Sequence, residues 1–327
     1  MRKSSPTTPL TGSVTLLLTL AGWSATPLFL VHFAPQLDVW TSNGWRYGLA
    51  ALLWAPLLVW HAARGTLPVG LYRAALLPAA FNALGQMAFA ASFYKVDPTS
   101  AIFGLRLQIV FVAVGAWVLF PNERKMLRQP RVWLGIALVL LGVWGAVLTA
   151  PTARGHLQWQ GVGLAALSGL LFAGYGLAVR HSMAQFGAMV AFAAISQWTA
   201  LATLAAMGLF GHQAGLAGWQ LPPTELGLLV VSSVTGIALG HVFYYMAIAR
   251  LGVTVPAAVL QLQPFTVAVG SWWLLGQELS AAQLALGAVA VVGAVLLLVA
   301  QNHGGLAQET SRSLQQRRDE GPPPQKY

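Results

Sequence analysis

The sequence predicts an all-α integral membrane protein of ten transmembrane helices, arranged as two inverted five-helix repeats with both termini cytoplasmic. Three observations carry this reading. Of 327 residues, 57% are hydrophobic and 8% charged, against roughly 25% charged in soluble domains, so the chain lacks the polar surface that a water-soluble globule needs. Ten windows are long and apolar enough to cross a bilayer. The chain also repeats itself at a spacing that places five spans in each copy.

A hydrocarbon core of about 30 Å takes about 20 apolar residues in a helix. The qualifying windows are 14–33, 44–60, 74–93, 98–120, 132–149, 160–179, 187–209, 225–248, 254–275 and 281–300. Arg2 and Lys3 precede the first, as in a signal peptide, but that run exceeds a typical h-region and similar segments follow it, so it is read as a retained helix. With the N-terminus in the cytoplasm, Arg64, Arg73, Arg124, Lys125, Arg128, Arg131, Arg180, Arg250 and the basic residues of both tails fall inside. Lys95 and Arg154 fall outside, and Arg46 and Arg106 lie within spans. The positive-inside rule selects this orientation. It also accounts for the formal net charge of +10, so nucleic acid is not an expected partner; no basic stripe with interleaved aromatics is present. The lack of cysteine excludes disulfides and thiolate sites. The resulting organisation is a cytoplasmic N-terminal tail at 1–12, repeats at 13–149 and 160–300, and a disordered cytoplasmic tail at 301–327, rich in Gly, Pro and mixed charges.

A shift of 155 residues lays Leu107-Gln108 on Leu262-Gln263, Val112-Ala113-Val114-Gly115 on Val267-Ala268-Val269-Gly270, Trp117 on Trp272 and Glu123 on Glu278. Leu and Val match by chance in apolar sequence, whereas Gln, Gly, Trp and Glu in one register do not readily. Five spans per unit send the second copy into the membrane from the opposite side, which is the arrangement that underlies alternating access. The charges agree, because the loop after the fourth span is basic and its counterpart around Gln277-Glu278 is not.

Polar groups at depth are the candidate site. A charge near the bilayer centre costs at least about 2.5 kcal/mol and ordinarily faces a cavity or a partner. Arg106 either snorkels to the outer interface or faces a cavity, where its guanidinium suits a substrate carboxylate; no Asp or Glu lies between the span ends to pair with it. Arg46, near the outer end of its span, is expected to snorkel or to pair structurally. Gln108 and Gln263 are equivalent, as are Arg106 and Gln261; residues two apart on a helix point about 200° away from each other, so Arg106 and Gln108 do not share one cavity on a regular helix. Pro264 removes a backbone donor and frees the carbonyl near Leu260, which makes it a candidate hinge. Asn82 with Gln86, and His241 with Tyr244, share helix faces as interhelical glue or as substrate contacts. His241 is the histidine placed at depth and the group there that titrates near neutral pH. Trp23 and Tyr175 occupy mirror-related mid-span positions, as packing rings or as stacking partners for a substrate.

The segments Gly44-Trp45-Arg46-Tyr47-Gly48-Leu49-Ala50 and Phe243-Tyr244-Tyr245-Met246-Ala247-Ile248-Ala249-Arg250-Leu251-Gly252, with Gln263-Pro264-Phe265 and Leu275-Gly276-Gln277-Glu278-Leu279-Ser280, resemble the EamA family of the drug/metabolite transporter superfamily. The resemblance runs from about residue 12 to 300. Ile109 stands where the family usually has proline, Pro121-Asn122-Glu123-Arg124 replaces Gly-Glu-Arg, and Gln263 and Gln277 replace acids. The resemblance implies a bacterial inner-membrane exporter of amino acids or related metabolites, whose spans 1, 3, 4, 6, 8 and 9 line a central cavity.

An enzyme is not expected. His241 has no acid in its span for a proton relay, and neither an HExxH pattern nor a GxxxxGK[ST] loop occurs. The leading expectation is a secondary transporter that exports a small carboxylated metabolite, with no cofactor and no metal. The alternatives are a carrier of a nucleoside, vitamin or lipid-linked sugar, and a non-transporting scaffold or sensor. Membrane lipid is an expected partner, and a homodimer stays open.

Overall fold

Apolar runs of this length become helices because a bilayer offers backbone N–H and C=O groups no water, and a helix satisfies them within itself. A computed structural model describes residues 9–33, 35–93, 105, 107–149, 159–275, 280–282, 284–297 and 299, and the regular structure among them is helical throughout. Helices α1 (Pro9–Phe33), α2 (Val39–Ala63), α3 (Leu71–Phe93) and α4 (Gln108–Leu119) are followed by the short α5 (Pro121–Leu127) and by α6 (Pro130–Leu148), α7 (Trp159–Ser182) and α8 (Ala188–Phe210). After a 3₁₀ segment at His212–Gln220, α9 (Pro223–Ser232) passes through a π-helical stretch, Ser233–Leu239, into α10 (Gly240–Leu251). Next, α11 (Thr254–Val259) runs through a 3₁₀ turn, Leu260–Leu262, into α12 (Gln263–Leu275), and α13 covers Leu284–Leu297. Five stretches are long and apolar enough to cross a membrane: Thr11–Leu30, Leu71–Ser92, Gly163–Ser182, Ala188–Phe210 and Pro223–Leu251. Arg106, Glu278, residues 1–8 and the tail from 301 lie outside the described residues, whereas residues 9–12, expected in the N-terminal tail, belong to α1.

The bundle exposes large apolar side chains and encloses polar ones within a largely apolar core. Leu52, Val59, Leu201, Leu209 and Trp273 are exposed, whereas Thr19, Arg46, Asn82, Ser168, Thr199, Ser233, His241 and Gln261 are buried. An apolar exterior, with polar groups kept inside among a largely apolar core, is what a lipid solvent selects.

Helix pairing is symmetric between the halves. The α10 helix packs on α1 as α3 packs on α7; α12 packs on α1 as α4 packs on α7; the π-stretch packs on α2 as α3 packs on α8; and α2 packs on α8. Each contact maps to another, or to itself, when the helices before residue 150 are exchanged with those after residue 158. Small residues allow the closest approaches. A Cβ on Gly142 of α6 would lie 2.5 Å from the Leu286 carbonyl of α13, and one on Gly293 would lie 2.7 Å from the Gly135 carbonyl, the close backbone packing that glycine gives membrane helices.

Two carboxylates tie connectors together at the bundle's ends. Asp38 caps α2, accepting the Thr41 N–H at 2.9 Å and the Thr41 hydroxyl at 2.6 Å, and it also accepts the His212 N–H at 2.9 Å. This cap starts α2 at Val39, ahead of the apolar window at 44. Partial burial of Asp38 raises its pKa, but the bonds from Thr41, His212 and Trp40 outweigh that and leave it below the usual value. The depressed pKa gives stability that is present above the unfolded-state pKa and is lost as pH falls through the folded one. Asp38→Ala is therefore expected to cost about 1 kcal/mol at neutral pH, with the difference from wild type shrinking on acidification, as read by thermal unfolding in detergent. At the opposite ends of these helices, Glu123 of α5 accepts the Val253 N–H at 3.0 Å, the Thr254 hydroxyl at 2.8 Å and the Thr254 N–H at 3.4 Å. Gly252 sits at φ 75°, and a Cβ there would lie 2.6 Å from the Glu123 carboxylate. Glu123→Ala leaves those buried donors unsatisfied, and a loss of about 1–3 kcal/mol is expected in the same assay.

Candidate functional site

The site forms where α1, α2, α7, α8 and the α9–α10 helix converge. Its uncommon element is the π-helical stretch Ser233–Leu239; such segments break the regular helical register and are frequent at functional sites. The stretch is held against α2 by the Ser233 hydroxyl, which donates to the Arg46 carbonyl at 2.5 Å, and by the Trp54 indole N–H, which donates to the Ala238 carbonyl at 3.3 Å. Against α1 the approach is closer still, since a Cβ on Gly22 would lie 2.7 Å from the Thr235 carbonyl.

Arg46 is the central polar group. It is 2% exposed, so the expectation that it snorkels is corrected: the π-stretch and α1 close over it. Gly236 leaves room for the guanidinium, 3.4 Å from where a Cβ would stand. One nitrogen of the guanidinium, Nη2, donates to the Thr26 hydroxyl at 3.4 Å, and Nε has no hydrogen-bond partner. Among the described residues no carboxylate pairs with it.

Aromatic rings surround His241 beside this charge. Phe192 stacks on the imidazole at 5.1 Å between centroids, and Trp23 meets it edge-on at 5.1 Å. Tyr175 and Tyr47 lie at 5.9 Å and 6.3 Å. Trp23 also meets Tyr244 at 4.9 Å, and the Tyr175 and Tyr245 hydroxyls share a hydrogen bond of 2.5 Å. The His241 Nδ1 lies 2.9 Å from the Ile237 carbonyl. A carbonyl only accepts, so Nδ1 carries the proton, and in the neutral ring Nε2 is the acceptor. The Asn82 and Gln86 amides approach the Tyr47 hydroxyl, yet that hydroxyl, the Asn82 Oδ1 and the Trp23 Nε1 are buried without a hydrogen bond. Buried polar groups are ordinarily satisfied, and these three atoms lie beside the ring cluster around His241.

Of the residues singled out in the sequence, Trp23, Tyr175, His241 and Tyr244 meet in this box, and Asn82 and Gln86 border it. Gln263 supports it, donating to the Trp23 carbonyl at 2.8 Å. Gln261 is buried but donates to Ala257 of its own helix at 3.0 Å, with its carbonyl oxygen unpartnered. Gln108 begins α4, its backbone N–H 3.3 Å from where a Cβ on Gly169 of α7 would stand. Arg106 is outside the described residues. The Leu260 carbonyl is not freed by Pro264 as expected. The chain tightens into a 3₁₀ turn, and the Gln263 N–H reaches that carbonyl, satisfying it one residue early. Arg46, Tyr47, Phe192 and Tyr245 also stand in or beside the ring cluster, and the sequence does not single them out as substrate contacts. The signal for Arg46 was present, because a span arginine in a chain without intramembrane acids needs a partner wherever it sits.

A helical membrane bundle of two like halves around an enclosed polar centre is the architecture of a solute carrier. Residues 10–148 and 159–299 each match the model of the EamA-like transporter family, and the chain belongs to that family, as the resemblance implied. It is thus a multi-pass membrane protein of a transporter family built from two repeats. It is 27% identical over 187 residues to a "Putative sugar uptake protein" of Lactiplantibacillus plantarum, a match covering 54% of this chain and 58% of that protein; the aligned part spans little more than half of the relative. A solved crystal structure shares the fold, with a TM-score of 0.71 at 15% identity over 87% of this chain and 95% of the other.

Proposed function

We propose that the protein is a secondary carrier of the bacterial inner membrane that exports a small carboxylated, amino-acid-like metabolite by alternating access. Arg46 anchors the carboxylate, and the rings of Trp23, Tyr47, Tyr175, Phe192 and Tyr244 receive the apolar body. In this reading ten spans form two oppositely oriented halves with both termini cytoplasmic, and the exchangeable pairing of their helices supports that symmetry. The observation that carries the substrate class is the buried Arg46, which has no carboxylate partner among the described residues. Guanidinium binds a carboxylate through two parallel charge-assisted hydrogen bonds. The second reading is a sugar, favoured by the relative's name and by aromatic rings that suit the apolar faces of a pyranose, but a neutral sugar leaves Arg46 uncompensated.

Counterflow into proteoliposomes tests the two readings. Radiolabelled phenylpyruvate, L-phenylalanine and D-glucose are each offered to vesicles preloaded with the same unlabelled compound. Saturable counterflow of the carboxylates and none of glucose is expected. Counterflow of glucose alone replaces the carboxylate reading with the sugar reading, and none for any compound overturns both of these substrate readings.

A further inference from the structure

We propose that this carrier is an obligate exchanger of carboxylate anions, in which Arg46 prevents the empty protein from reorienting. The inference rests on the carrier reading above and adds to it a mode of operation. It follows from an account of where negative charge is available. Among the described residues the carboxylates are Asp38, Glu123 and Glu225, and each is engaged away from the site. Asp38 holds Thr41 and His212, Glu123 holds Val253 and Thr254, and Glu225 pairs with His32 at 2.7 Å. The other acids of the chain, Asp97, Glu278, Glu309, Asp319 and Glu320, fall outside the described residues and outside the ten apolar windows. The groups around the guanidinium are Thr26, Gly236, Tyr47, Ser233 and His241, none of which is anionic at neutral pH.

Among the described residues, therefore, the buried cation has no counter-charge, and the substrate has to supply one. In either open state water solvates the guanidinium. To pass between them the bundle must occlude the site, and an isolated charge removed from water is strongly disfavoured, whereas a charge paired with hydrogen-bonded carboxylate oxygens is much less so. Occlusion with an anion bound buries a neutral pair; occlusion without one buries a bare cation. The loaded carrier crosses readily and the empty one does so slowly. Net flux requires an empty return at each cycle and exchange does not, so a carboxylate on the far side accelerates transport. One guanidinium neutralises one carboxylate, and the exchange of one monovalent anion such as phenylpyruvate for another moves no net charge.

The test compares two rates in the same proteoliposomes loaded with radiolabelled phenylpyruvate. One is efflux into medium containing unlabelled phenylpyruvate, and the other is efflux into medium without it. Exchange about tenfold or more faster than net efflux is expected, together with an exchange rate that a valinomycin-imposed potassium potential leaves unchanged. In Arg46→Gln, assayed above its own half-saturating concentration, the two rates are expected to converge within about twofold, because the empty site no longer carries a charge. Wild-type rates that agree within twofold overturn the exchange proposal while leaving the carrier reading intact, and the absence of any protein-dependent phenylpyruvate flux overturns the exchange proposal together with the carboxylate reading. If Arg46→Gln elutes aggregated on size exclusion, the wild-type ratio alone decides the matter.

Discussion

Arg46→Gln is expected to weaken carboxylate binding by about 100-fold, which corresponds to about 2.7 kcal/mol, within the range for losing one member of a buried, hydrogen-bonded charge pair. The physical basis is the environment of the guanidinium. It is 2% exposed, and among the described residues its side chain makes one long hydrogen bond, to Thr26, with Nε unpartnered, so donors are left for a substrate carboxylate. Glutamine keeps polarity and much of the volume but offers one planar amide in place of the charged fork. Arg46→Lys restores the charge without the paired geometry and is expected to fall between the two. The measurement is the half-saturating concentration for phenylpyruvate counterflow, alongside the maximal rate. Unchanged half-saturation in Arg46→Gln refutes the assignment, and an equal loss for a neutral solute would show that the arginine acts through folding.

The second large effect is expected at Gly22. Adding a side chain there places a Cβ 2.7 Å from the Thr235 carbonyl, which is backbone of the π-stretch and has no rotamer by which to retreat. Gly22→Val therefore forces α1 away from the stretch, and overpacking of this kind costs about 1–3 kcal/mol. The functional loss is expected to exceed the loss of stability. Thr26 and Trp23 lie on α1 within a turn of Gly22, and Gly236 lies in the stretch itself, so displacement of α1 opens the contact between Thr26 and Arg46 and shifts the indole from His241. Counterflow below about 5% of wild type in protein that still elutes as a single species is the anticipated outcome. Gly163→Val, on α7 with no heavy atom within 4 Å of its Cβ, is the matched substitution expected to retain activity.

Much of the candidate site could be read from the sequence because few polar residues occur at depth. Trp23, Tyr175, His241 and Tyr244 stood out as polar or aromatic groups in apolar runs, and the bundle brings all four together. For Arg46 the sequence offers snorkelling or structural pairing, and burial excludes the first; the nearness of its span end suggested access to the interface. That inference holds for a straight, isolated helix and ignores what packs over it. Phe192 carried no signal, since one phenylalanine in an apolar helix looks like any other until a histidine from another helix lies under its face. The π-stretch had no signature either. Ser233–Leu239 reads as ordinary helix, and its register is set by the hydrogen bonds and close contacts it makes with α1 and α2.

The sequence by itself determined that this is a helical membrane protein built from a duplicated unit, because hydrophobic run length and internal similarity are one-dimensional properties that the bilayer translates directly into helices. Which polar groups face one another was decided by the tertiary structure, since a helix interrupted by π or 3₁₀ turns changes its facing residues partway along. Whether a buried arginine has a counter-charge depends on side chains contributed by several helices at once, and their distances exist only after the bundle has closed.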